Sequence, residues 1–111
     1  MEYPDIIRRL PQADLPLDGD IVRSHVLSSK DGLLVFFEFL KDADIPAHSH
    51  KGQWGTVLEG SVELTVEGVT TTYRPGQSYY IPAGAVHSVK LPAGTKAIDF
   101  FEEPDRYRLK R

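Results

Sequence analysis

From Ile21 onward, apolar and polar residues alternate in short runs separated by Gly, Pro and Asp, with no 3.6-residue period under helix caps. Residues 61–66 show the pattern most clearly. Val62, Leu64 and Val66 share one face of an extended chain, and Glu63, Thr65 and Glu67 share the other. Similar runs at 21–28, 45–50, 54–58, 69–73, 78–81, 85–91 and 96–101 predict further strands. Residues 33–40, rich in Phe and branched side chains, predict a strand buried on both faces. Turn residues fall between the runs: Lys30-Asp31-Gly32, Asp42-Ala43-Asp44, Glu59-Gly60, Glu67-Gly68, Arg74-Pro75-Gly76, Pro82-Ala83-Gly84 and Pro92-Ala93-Gly94. Short strands at this regular spacing predict an all-β sandwich or barrel. Residues 1–20 carry Pro4, Pro11, Pro16 and Gly19 and predict an irregular arm with one short strand around Ile6.

Composition narrows the class. A chain of 111 residues makes one domain, 1–111, and 41% apolar residues suffice for a packed interior. The barrel is expected over 21–103 and a basic tail over 104–111. A net charge of −3 gives no general basic footprint, so no nucleic-acid partner is expected. The run Arg106-Tyr107-Arg108-Leu109-Lys110-Arg111 reads as a solvated tail. With no cysteine, disulfides and thiol chemistry are excluded, and a cytoplasmic location is the expectation. No basic-then-apolar leader opens the chain. The longest unbroken apolar run, 33–37, is too short to span a bilayer, so no membrane partner is expected.

Chemistry concentrates in two stretches. In Pro46-Ala47-His48-Ser49-His50-Lys51-Gly52-Gln53, two imidazoles two residues apart point to one side of an extended segment, and Pro46 argues against a helix. Gln53 falls on the opposite side unless a bend or bulge at Lys51-Gly52 returns it. Downstream, residues 76–87 place Gly76, Pro82, Gly84 and His87 in order. Together they read H-x-H-x2-Q-x6-G, a short spacer, then G-x5-P-x-G-x2-H.

This pair of patterns resembles the two signature motifs of the cupin superfamily, small double-stranded β-helices of jelly-roll form. The resemblance implies a single-domain cupin barrel in which the two motifs form facing hairpins. It also implies a divalent metal held by His48, His50, Gln53 and His87. Gln53 stands where Glu is usual, one residue closer to the His pair than in the commonest form. Asp42 replaces the leading Gly of the first motif and Leu91 the terminal Asn of the second. Three neutral imidazoles and an amide suit Zn, Ni, Fe, Cu, Co or Mn better than Mg or Ca, and leave the ion's charge to be balanced by a bound hydroxide or an anionic substrate. The expected partner is a small organic molecule, as a substrate of oxygenase, isomerase or lyase type or as the ligand of a non-catalytic sensing module; a metal-free structural barrel is the third reading. The resemblance also implies a homodimer; because a jelly roll leaves open sheet edges, the arm and the apolar 33–40 strand are expected to pair across its interface.

The remaining candidates read as structural. His25 matches no motif position and is expected in the structure or at the surface. Trp54, Phe36, Phe37, Phe39, Phe100 and Phe101 read as packing. Glu38 and Asp99 are candidate general bases that simple alternation is expected to turn toward solvent. One of Tyr79 and Tyr80 must point inward, and the pattern does not say which.

Overall fold

The structure, a computed structural model, describes residues 1–110. Arg111, the last residue of the basic tail, lies outside them. A one-turn helix α1, Asp5–Arg8, and a two-residue strand β1, Ala13–Asp14, precede the barrel. Nine strands then follow: β2 Val22–Ser29, β3 Gly32–Phe39, β4 Ala43–His48, β5 Gln53–Glu59, β6 Val62–Val66, β7 Val69–Tyr73, β8 Ser78–Ile81, β9 His87–Leu91 and β10 Lys96–Phe101. A last short strand, β11 Arg108–Leu109, pairs with β1. The turns anticipated from Gly, Pro and Asp fall at the ends of these strands or between them, except at 42–44, where only Asp42 precedes the strand and Ala43 and Asp44 already pair with Leu91 and Lys90 as the start of β4. Around Ile6, however, the chain forms α1 instead of a strand, because Pro4 starts a turn whose carbonyl accepts from the amides of Ile7 and Arg8.

Two antiparallel sheets face each other. One has the order β2-β3-β10-β5-β8 and the other β4-β9-β6-β7. Strands far apart in sequence become neighbours, as a double-stranded β-helix requires. Between the sheets lie Val22, Val26, Leu33, Val35, Phe37, Phe39, Val57, Val62, Leu64, Ile81, Leu91 and Phe101, all buried. In β3 the odd-numbered residues from Leu33 to Phe39 point into this core, whereas Leu34, Phe36 and Glu38 are only partly covered. This strand is therefore not enclosed on both faces. Its outer side forms part of a band that also carries Leu27, Trp54 and Phe100, all well exposed.

The arm and the tail are tied to the barrel. Tyr3 is buried, donates its hydroxyl to the Phe37 carbonyl at 2.9 Å, and sets its ring edge-on to Phe36 and His25. The N-terminal ammonium pairs with Glu59, which also pairs with Lys96. The Val26 amide donates to the Pro11 carbonyl, which holds the arm beside the edge strand β2. No helix among the described residues is long and apolar enough to cross a membrane.

Glycine is required at one strand reversal. Gly60 has φ of +77°, and a Cβ there would meet the Thr95 side chain at 2.3 Å and its backbone at 2.8 Å. At this point β5 turns into β6 beneath the loop before β10.

Candidate metal centre

Strand β4 loses register between Ile45 and His48. Ile45 stands opposite Val89 and His48 opposite His87, so three residues of β4 span two of β9. Without this bulge Ile45 and His48 would face opposite sides; with it both line the interior. The strand ends at His48. Residues 49–52 cross to the other sheet and carry His50 with them. Two adjacent carboxylates clamp this crossing: the Lys51 amide donates to Glu103 at 2.8 Å and the Gly52 amide to Glu102 at 2.9 Å. Gln53 then opens β5, opposite Phe101 on one side and Ile81 on the other. The change of sheet, and not a bulge at Lys51-Gly52, brings Gln53 to the cavity wall.

His87 begins β9 after the Pro82-Ala83-Gly84 turn, whose Gly84 amide donates to the His50 carbonyl at 2.8 Å. The three rings converge. Their centroids are 5.2 Å apart for His48 and His50, 4.3 Å for His48 and His87, and 4.8 Å for His50 and His87. One ring nitrogen from each lies within 4.8 Å of the others, a grouping able to hold a metal ion.

Each ring is also oriented. Nδ1 of His48 lies 2.8 Å from the Pro46 carbonyl, Nδ1 of His50 lies 2.7 Å from that of Lys51, and Nδ1 of His87 lies 2.9 Å from that of Ala85. A carbonyl only accepts, so the proton of each neutral ring sits on Nδ1 and the lone pair on Nε2. Nε2 of His50 and of His87 is buried without a hydrogen-bond partner. Buried ring nitrogens left unpaired cost stability unless something binds them. Burial holds the pKa of His50 and of His87 below the ordinary imidazole value, so both rings are neutral near pH 7. The donor set therefore fits a divalent transition metal.

The centre lies at one end of a cavity of about 470 Å³ between the sheets. Asp99 of β10 also faces this cavity and is buried, contrary to the outward orientation expected from alternation. The inward set of β10 is Ala97, Asp99 and Phe101; Lys96, Ile98 and Phe100 point away. Tyr79 is the inward member of its pair and donates its hydroxyl to Asp99 at 2.6 Å, while Tyr80 is exposed. The Gln53 side chain neighbours the Asp99 carboxyl and, like Tyr79, favours its ionised form. Burial outweighs both and raises the Asp99 pKa from 3.8 to about 7. The space is made by Gly55, where a Cβ would fall 1.8 Å from Asp99 Oδ1 and 2.4 Å from the Tyr79 ring.

The basic tail contributes as well. Arg106 and Tyr107 line the cavity, with the guanidinium 4.6 Å above the Tyr107 ring and the buried Arg106 Nε unpartnered. Tyr107 packs edge-on against Phe101, which packs against His50. Only the end of the tail behaves as a solvated run: Arg108, Leu109 and Lys110 are exposed. Glu38 stays on the outer face opposite Lys96, as alternation predicts. His25 lies on that face too, buried against Tyr3 and away from the cavity, and both its ring nitrogens are unpartnered.

Residues 35–100 match the cupin-domain family model, and the chain belongs to that family. It is a small cupin with a double-stranded β-helix fold. Among solved structures, an RmlC-like cupin from Shewanella frigidimarina superposes with a TM-score of 0.74 at 27% identity, covering 89% of this chain and 87% of that one. KdgF from Halomonas sp. gives 0.71 at 22% identity, covering 85% and 89%. Oxalate decarboxylase from Bacillus subtilis gives 0.72 at 18% identity, and this chain matches 29% of its length. A mannose-1-phosphate guanylyltransferase of Sinorhizobium fredii is 27% identical over 90 residues, and this chain covers 16% of it.

Proposed function

We propose that this cupin is a metal-dependent enzyme acting on a small organic anion, with His48, His50 and His87 holding one divalent transition metal. The observation that carries this reading is the set of three Nδ1 groups turned to backbone carbonyls, which leaves the opposite nitrogens gathered at one point. Gln53 completes the set. With its amide N–H₂ turned to the neighbouring Asp99 carboxyl, its carbonyl oxygen is left for the ion. Zn, Ni, Fe, Cu and Co suit these donors. The Mn(II) centres of oxalate decarboxylase, which shares the fold, add manganese.

A bound ion of this kind polarises an oxygen of the substrate and stabilises negative charge developing there. The chain's own groups supply the rest. The Arg106 guanidinium attracts an anionic group to the cavity. Tyr79 and Gln53 hold the Asp99 carboxyl facing the same space, where it can take a proton from the bound molecule or return one. Phe101 packs edge-on against the His50 ring and Tyr107 against Phe101, which makes that side of the site apolar. A positioned acid–base group beside the centre favours turnover over binding alone.

The test begins with element analysis of protein purified without chelators or a nickel column. One equivalent of transition metal is expected, lost in His48→Ala, His50→Ala and His87→Ala. Affinity should fall on acidification below the ordinary imidazole range, because the ligating rings must be neutral and burial holds two of them neutral to lower pH than a free imidazole. Screening the loaded protein against keto acids, sugar acids, diketones and flavonols should find turnover that Asp99→Asn reduces at least a hundredfold. Metal content unaffected by the His substitutions refutes the site, and binding without turnover across the panel refutes the enzyme.

We propose also that two copies pair through the outer face of the five-stranded sheet. That face carries the apolar band of Leu27, Phe36, Trp54 and Phe100, flanked by the docked arm.

A further inference from the structure

The cavity is polar at one end only. Along β9 the inward residues are His87, Val89 and Leu91; along β6, read from the same end, they are Val66, Leu64 and Val62. Four residues of extended chain separate His87 from Leu91, roughly 13 Å. Across that distance the wall turns from imidazole, amide and carboxyl groups to hydrocarbon. Val22, Phe39, Val62, Leu64 and Leu91 close the far end, and Leu17 of the arm covers the side. None of these six side chains can donate or accept a hydrogen bond. A hydroxyl placed among them loses its water and gains nothing in return. The volume, about 470 Å³, is also far more than a two- or three-carbon acid fills.

We infer that the molecule this site takes is an amphipathic anion: an alkyl or aryl carboxylate whose head meets the His48–His50–His87 centre and Arg106, and whose apolar body lies against Phe39, Leu64 and Leu91. This rests on the metal-site reading above and adds to it the class of ligand. Polyhydroxylated acids such as open-chain sugar acids suit the head of the site and not its body.

Calorimetric titration of the Co(II)-loaded full chain with acetate, butanoate, hexanoate and octanoate tests the inference, with gluconate as the polar partner of hexanoate at equal carbon count. Affinity should rise about fourfold per added methylene through hexanoate. Hexanoate, with four more methylenes, should therefore bind roughly 250-fold more tightly than acetate, and gluconate no more tightly than acetate. Leu17→Ser, in the arm and outside both sheets, should lower hexanoate affinity several-fold and leave acetate unchanged; Leu64→Thr should do the same from within the sheet. A flat series, or gluconate matching hexanoate, overturns the inference while the cobalt absorption spectrum shows the centre intact. Failure of the protein to take up Co(II) overturns the metal reading, and the inference with it.

Discussion

Asp99 shows how one buried side chain links stability to chemistry. Its pKa rises from 3.8 to about 7 on folding, so between these values the folded chain keeps a proton that the unfolded chain gives up. Its contribution to stability is therefore greatest at low pH, falls as pH rises through that window, and is level above about 7. Asp99→Asn removes the dependence. Metal-free variant and parent should be similar near pH 4, and at pH 8 the variant should be the more stable by up to about 4 kcal/mol, read by urea melts at both pH values. His50 and His87 act with the opposite sign. Burial lowers their pKa, so acidification protonates the unfolded chain first and erodes stability below the ordinary imidazole range. The three imidazoles were legible in the sequence because motif spacing names them directly. Asp99 was not. In β10 its own face carries Ala97 and Phe101 while the other carries Ile98 and Phe100, so both faces are apolar and parity could not decide which is inside. Arg106 was hidden for a different reason: a basic terminal run resembles solvated tail, and only the pairing of β11 with β1 turns part of it inward.

At the scale of the element, the strands were nearly all visible, since Gly and Pro mark their ends and alternation marks their middles. The local departures were not. A four-residue helix is too short to show a period, and the bulge between Ile45 and His48 leaves no residue signature apart from Pro46. These departures nevertheless place the site. The bulge turns His48 inward, and Gly55 in β5 leaves room for Asp99 and Tyr79 from the neighbouring strands. Gly55→Ala should therefore act on the site and the fold together. The added methyl cannot coexist with both side chains, and a cost of about 1–3 kcal/mol is expected in thermal or urea melts. Turnover should fall with it even where the protein remains folded, because Asp99 is displaced. Unchanged stability and activity in this variant would mean that the Asp99–Tyr79 pair is not packed as described.

For the whole molecule, the apolar outer band bears on assembly. Leu27, Trp54 and Phe100 are each more than a third exposed on one sheet face, an arrangement that a solitary domain of this size rarely leaves uncovered. Light scattering at micromolar concentration should give twice the 12.4 kDa chain mass, and Phe100→Glu should return it to one. A parent that scatters as a single chain would remove the dimer from consideration. Family membership and overall architecture were legible at this scale from two motifs and a strand pattern. The ligand was not, because the apolar end of the cavity draws one or two residues from each of several strands and has no contiguous signature.

The ribbon of β1 and β11 is joined through only two residue pairs, Ala13 with Leu109 and Asp14 with Arg108, whereas β2 and β3 share eight. Leu15 and Leu17 follow one of its strands and Arg106 and Tyr107 precede the other, so both sets belong at once to the ribbon and to the cavity wall. Local opening costs least where few bonds must break. This seam is thus the part of the cavity wall held by the fewest strand pairs, and a bound molecule that touches Leu17 and Arg106 would fasten the two chain ends to each other.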